Sequence, residues 1–339
     1  MIKQAHIGVG ISGQEGMQAV LSSDFSFAQF RFLQRLLLVH GRWSYLRVAM
    51  FLRYFFYKNF AFTLCHFWYG IYCGWSATTL FDQWFILFYN IVYTSTPIIN
   101  YAWMEQDVNE YYSQMFPKLY YPGPNNLLFN IYYFMLSCCE GIYASVIVFF
   151  FMVYGYASFN MQNGSSISQS YQGLGVACAT AISIVVNIRC SLEMGHWTVF
   201  NVWPALSIAA VFVFQIMMGE LLTLFFPEHL EYKDVYYAVW QNANFWWVTL
   251  AACVVCCFPI LFCRLWIVIM KEPLTYRARV KQFFEKHQPE EYNQLAVNRG
   301  AAALHRSRHG SSFAFAQQPG IGGMIERGVY RESAASRAR

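Results

Sequence analysis

The residue with the most chemistry to offer is a lysine inside a long apolar run. Lys58, with Asn59 beside it, lies within FFYKNFAFTLCHFWYGIYCGW, Phe55 to Trp75. Such a run is long enough to cross a bilayer as a helix. A charge in hydrocarbon is costly and needs a polar partner, a water-filled path or a polar ligand. One ammonium with an amide next to it favours a polar or anionic group. The plainer alternative is snorkelling. Lys58 follows Arg53 by five residues, about 7–8 Å of helix, so its amine can reach back toward the cytoplasmic interface.

A second polar cluster lies in the next apolar segment, where Asn90 precedes Thr94-Ser95-Thr96 and Pro97. Proline removes a backbone donor, and neighbouring hydroxyls can satisfy the freed carbonyls. That pattern suits a broken helix lining a transport path, and equally an ordinary proline kink. No carboxylate occurs between Asp82 and Glu105. Hard cations select carboxylate and carbonyl oxygens, so a Na⁺, K⁺ or Ca²⁺ pump is disfavoured. A phosphate-bearing lipid headgroup fits better. Two further charges, Glu140 and Arg264, lie in apolar segments and could pair, and Arg264 is close enough to the cytoplasmic end of its segment to snorkel.

Two other motifs carry less. Cys253-x-x-Cys256-Cys257 has a metal-ligand spacing, but it is embedded in AACVVCCFPILFC with no His or acid nearby. Packing within the membrane is the expected role. Gly8-x-Gly10-x-x-Gly13 matches a dinucleotide fingerprint. Only seven residues precede Gly8, and no second half of a nucleotide fold follows.

The elements that must position these groups belong to a membrane protein. Hydrophobic residues make up 57% of the chain, aromatics 20% and charged residues only 12%. A soluble domain would carry about twice that charge. The cysteines lie in or at the edge of apolar segments, which argues against a secreted disulfide framework. No cleavable signal peptide is recognisable, so a first span acts as its own insertion signal or a longer chain precedes Met1. The expected fold class is an all-α polytopic membrane protein with six transmembrane helices, at about 54–76, 84–103, 127–154, 173–190, 196–218 and 245–270. These make a membrane domain over 54–270. A short α/β segment (1–30) and a basic linker (31–53) precede it, and a polar, mostly disordered tail (271–339) follows.

The basic residues orient that arrangement. Of 23 Lys and Arg residues, 12 follow Met270 and six lie before residue 54, whereas the expected outer loops hold only Lys233. By the positive-inside rule both termini are cytoplasmic. Asn163-Gly164-Ser165, an N-glycosylation pattern, then falls on the lumenal or extracellular side.

Several runs now point to a family. AHIGVGISGQEGMQAVLSSDFSFAQF, LLLVHGRWSYLR followed by RYFFYKNFAFTL, WFILFYNIVYTSTP, the EQDV beginning at Glu105, and MFPKLYYPG resemble the C-terminal part of the phospholipid-translocating P-type ATPases, the lipid flippases of the fourth class. The resemblance extends over essentially the whole chain. It implies that residues 1–30 are the end of the phosphorylation domain and that the six spans are helices five to ten of such a pump. It also implies that Lys58 and Asn59 sit midway through the membrane beside the lipid path, with Asn90 facing the same region. SSFAFAQQPGIGGMI, from Ser311, is similar to the tail motif of autoinhibited members, which gives Phe313 and Phe315 a regulatory role. Ala316 stands where that motif usually has Ser.

Other family parts are missing. No DKTG, the motif of the phosphorylated aspartate, occurs in the sequence, and the GDGxND motif would fall ahead of AHIGVGI. The isoleucine gate of the fourth helix is absent too. Phosphoryl transfer needs an acceptor, Mg²⁺ and groups that cradle phosphate. The ATP and Mg²⁺ of the full-length family are therefore not expected to bind residues present here. The partners implied are phospholipid and an accessory glycoprotein β-subunit of the CDC50 type, with no nucleic acid, in a Golgi, endosomal or plasma membrane. The expected function is that of the C-terminal membrane part of a pump moving phospholipid from the outer or lumenal leaflet to the cytoplasmic one. The alternative is a truncated, non-enzymatic product that binds the accessory subunit or regulates a full-length flippase. An unrelated channel or transporter is the third reading. The lack of carboxylates in the broken segment weighs against an ion-transporting version of it. Apart from the family, the tail's basic, glycine-rich composition reads as disorder with affinity for anionic lipid.

Overall fold

The computed structural model describes residues 2–13, 17–157, 171–195, 203–217, 220 and 235–287, and these are mostly helical. After a short 3-10 turn, Ile2–Gln4, the chain forms β1 (Val9–Ile11), α1 (Met17–Leu21) and β2 (Phe25–Phe27). Helix α2 (Phe32–Arg35) is followed by a π-helical turn, Leu36–Gly41, and by the long α3 (Arg42–Tyr72). Next are α4 (Gln83–Phe88), a second π turn over Tyr89–Tyr93, and α5 (Ser95–Met104). After the short α6 (Glu110–Met115) come α7 (Ile131–Phe151) and α8 (Tyr171–Glu193). Then follow α9 (Trp203–Met217), α10 (Val235–Gln241), α11 (Ala243–Lys271) and α12 (Leu274–His287).

The chain divides into two compact units. One comprises Met1–Arg42, Glu110–Pro117 and the residues from Val280 onward. Its strands are parallel, with Val9 opposite Phe25. The glycine motif has a packing explanation in this unit. A Cβ on Gly8 would meet the Ile2 side chain at 2.6 Å, and one on Gly10 would meet Ser23 Oγ at 2.7 Å. Close approach of neighbouring segments favours glycine at both positions, since a larger residue would force these side chains to shift. Arg35 pairs with Glu110 at 2.8 Å, and the Arg42 guanidinium donates to Ser113 Oγ at 2.5 Å.

The other unit, Trp43–Asn109 and Lys118–Arg279, holds the apolar helices. Three described helical stretches are long and apolar enough to cross a membrane: Ile131–Tyr156, Tyr171–Glu193 and Ala243–Lys271. Their burial separates their roles. The apolar window of α8 is 83% buried and that of α11 only 17% buried, so α8 is the central helix and α11 exposes its side chains outward. The sequence of α8 explains this. Gly173, Gly175, Ala177, Ala179, Ala181 and Ser183 are small, and small residues let helices approach closely where lipid supplies no hydrophobic drive. A Cβ on Gly175 would sit 2.2 Å from the Leu80 carbonyl oxygen.

The remaining expected spans take other forms. The first lies within α3, which begins at Arg42, well before position 54, and carries Arg47, Arg53 and Lys58. The second is interrupted, being divided into α4, the π turn and α5. The fifth overlaps α9. Two stretches expected as loops contain α6 and α10, and the start of the tail is the helix α12. The three residues Val235, Tyr236 and Val239 of α10 are buried, so packing rather than local polarity decides its structure.

Candidate functional site: a lysine held by a broken helix

The site begins with a run of aromatic contacts that fixes α3 against the interrupted segment. Phe62 of α3 stacks on Tyr89 with ring centroids 4.1 Å apart, and on Phe81 at 4.9 Å. The Tyr89 hydroxyl donates to the Lys58 carbonyl at 3.2 Å. Asp82 caps α4 by accepting from the Trp84 backbone N–H, which sets where the interrupted segment starts.

The break itself follows from the sequence. In a continuous helix residue 97 would donate its N–H to the carbonyl of Tyr93, four positions back. Pro97 has no N–H to give. The backbone departs from helical angles at Thr94, with φ −129° and ψ −5°. Carbonyls left free in this way are costly away from water and must find other donors. Each does. Thr94 Oγ1 donates to the Tyr89 carbonyl at 2.8 Å, and Ser95 Oγ donates to that of Ile91. The Tyr93 carbonyl accepts from Asn187 Nδ2 on α8 at 3.2 Å and from Ser207 Oγ on α9 at 2.5 Å.

Lys58 points into this break. Its Nζ donates to Asn90 Oδ1 at 3.0 Å and to Thr94 Oγ1 at 2.8 Å, and the residue is 2% exposed. The Phe55 and Tyr89 rings lie 5.6 and 5.8 Å from the ammonium, within cation–π range. The side chain is therefore turned toward the interrupted segment and away from solvent. Burying a lysine is costly unless it finds partners. Each hydrogen bond to a charged group contributes about 1.5–3 kcal/mol, and Lys58 makes two.

Lys58 and Asn90 thus come together, while Asn59 is half-buried and its side chain hydrogen-bonds to no described residue. Asn163, Phe313 and Phe315 lie outside the described residues. Among the described residues no group of three or more His, Cys, Asp or Glu could hold a metal ion, and Cys253, Cys256 and Cys257 are buried free thiols.

A charged network on α8 went unforeseen. Arg189, at the very end of the expected fourth span, is inside α8 and buried. It lies 3.0 Å from Glu140 and 3.0 Å from Glu193. Arg53 and Arg264 approach the same Glu193 at 3.5 and 3.4 Å. Glu140 therefore pairs with Arg189, and Arg264 turns to Glu193 and the Leu192 carbonyl. The i,i+4 spacing of Arg189 and Glu193 was the available signal. It was hidden because a polar helix end reads as a loop.

The profile of a family described as phospholipid-translocating P-type ATPase, C-terminal, matches residues 20–272. The phospholipid-transporting ATPase ID of Homo sapiens is 43% identical over 331 residues, covering 97% of this chain and 27% of that protein. The phospholipid-transporting ATPase IC of Homo sapiens is 40% identical over 97% of this chain and 26% of its own length. The phospholipid-transporting ATPase 6 of Arabidopsis thaliana is 42% identical over 65% of this chain and 18% of its own length. The chain thus spans about a quarter of the length of the two human relatives. With a matching family profile over most of its residues and this identity along nearly all of its length, the chain belongs to the phospholipid-translocating P-type ATPases, as a C-terminal portion of that family.

Proposed function

We propose that this chain works as the C-terminal membrane part of an ATP-driven pump that moves phospholipid from the outer or lumenal leaflet to the cytoplasmic leaflet. The observation that carries the proposal is the buried ammonium of Lys58, held on Asn90 and Thr94 at the break between α4 and α5. With two neutral acceptors engaged, the lysine has a third donor left for a passing phosphate or carbonyl. Asn59, next in sequence, supplies a further polar group to the same path. In this reading the chain crosses the membrane six times, in α3, the α4–α5 segment, α7, α8, the α9 region and α11, with both termini cytoplasmic. An accessory glycoprotein subunit of the CDC50 type accompanies it, and Asn163 carries a glycan on the outer side. ATP and Mg²⁺ act in the pump's cytoplasmic domains, and the tail segment around Phe313 and Phe315 restrains turnover.

The size of the native protein tests this. An immunoblot with an antibody to the sequence after Lys271 should give a band several times larger than 39.5 kDa, the mass of the chain. A band near 39.5 kDa, shifted only by a glycan, would contradict a pumping role and favour a non-enzymatic membrane product that binds or regulates a flippase.

A further inference from the structure

The carbonyl of Tyr93 receives two donors from two different helices, Asn187 of α8 and Ser207 of α9. This is the carbonyl that Pro97 cannot serve. Both donors are buried, Asn187 completely. The Asn187 amide faces two carbonyl oxygens at once, those of Tyr93 and Ser183, the latter at 2.8 Å. That pairing fixes its orientation, because turning the amide over would set oxygen against oxygen. Ser207 is held from the other side by the Thr96 hydroxyl at 3.2 Å. Tyr93 immediately precedes Thr94, and Asn90 is three residues before it. The two acceptors of Lys58 therefore sit on backbone whose path is set at Tyr93.

We infer that Asn187 and Ser207 are positioning residues for Lys58: by holding the Tyr93 carbonyl from α8 and α9 they fix the geometry of the break, and through it the distance of Asn90 and Thr94 from the ammonium. The inference rests on the headgroup-path reading of Lys58. It names two side chains that touch neither the lysine nor the path. Its mechanical consequence is that any movement of α9 against α8 is passed to the lysine through one peptide group.

The test uses the full-length pump carrying this chain, purified in detergent, with ATP hydrolysis followed while phosphatidylserine, phosphatidylcholine and phosphatidylethanolamine are each titrated in. Ser207→Ala should raise the apparent KM for the activating lipid about fivefold, the factor corresponding to one hydrogen bond of about 1 kcal/mol, with kcat within about twofold. Asn187→Leu should act in the same direction, and Ser207→Thr, which keeps the hydroxyl, should restore the parent KM. In a Lys58→Ala background Ser207→Ala should change KM less than about twofold, because residues acting through a common partner are not additive. A normal KM in Ser207→Ala and Asn187→Leu, with a raised one in Lys58→Ala, would overturn the inference and leave the path reading standing. An undiminished effect in the Lys58→Ala background would also overturn it. Loss of folded protein in both Ser207→Ala and Asn187→Leu would make these residues structural and overturn it as well. A normal KM in Lys58→Ala itself would remove the path reading, and the inference with it.

Discussion

Arg189 and Glu193 face each other one turn apart on α8, 3.0 Å between charged atoms, with both side chains almost wholly buried. Glu193 is shared by three guanidinium groups, those of Arg53, Arg189 and Arg264, which come from α3, α8 and α11. One carboxylate thus ties three helices. Removing one partner of a buried charge pair leaves uncompensated charge, a loss of about 3–5 kcal/mol. Glu193→Ala should therefore strongly destabilise the unit that holds the apolar helices. Glu140→Ala should cost less, because Glu140 is 21% exposed and, among the described residues, pairs with Arg189 alone. Unfolding titrations of the detergent-solubilised protein would check the order, and equal losses would refute the central place of Glu193.

Gly175 gives a prediction of a different kind. Its missing side chain lets the Leu80 carbonyl approach α8 to a point where a Cβ would be 2.2 Å from the oxygen. The obstacle is backbone, so it cannot turn aside. Gly175→Ala should lower stability by about 1–3 kcal/mol or more and reduce folded yield. The same change at Gly74, which has no atom within 4 Å of its Cβ position, would meet no such obstacle and cost only backbone strain from its φ of +61°.

The tail supplies a regulatory prediction. In the full-length pump, deletion of residues 311–325 should raise basal ATP turnover without changing which lipid stimulates it. Turnover unchanged by the deletion would remove the inhibitory role proposed for Phe313 and Phe315.

Much of the architecture is legible in the residues, and the exceptions have physical causes. Apolar length identifies α7, α8 and α11 directly, since each is uninterrupted. The interruption of the second span is also visible, because Pro97 after a run of hydroxyls states both the defect and its local remedy. The remedies from a distance are not visible. Nothing local to Asn187 or Ser207 says that they answer a carbonyl on Tyr93, more than ninety residues away. The direction of Lys58 is likewise a tertiary fact. Periodicity allows it to reach the interface or the interior, and only the position of α4 and α5 decides. The burial of Arg189 is hidden for a related reason. Charge alone suggests solvent, whereas here Glu140 and Glu193 make a buried guanidinium tolerable. The short helices α6 and α10 form in sequences too polar or aromatic for periodicity to mark them.

The measurement that bears most directly on the account is lipid-stimulated ATP hydrolysis by the Lys58→Ala variant of the full-length pump, set against its amount of folded protein. If Lys58 supports the headgroup, stimulation should fall at least about tenfold, the loss expected from removing about 1.4 kcal/mol or more of charge-assisted binding. Folded protein should fall much less, since the alanine leaves Asn90 and Thr94 with only neutral acceptors to satisfy. Normal lipid stimulation in Lys58→Ala would contradict the account, and Lys58 would then be a structural tie between α3 and the broken segment.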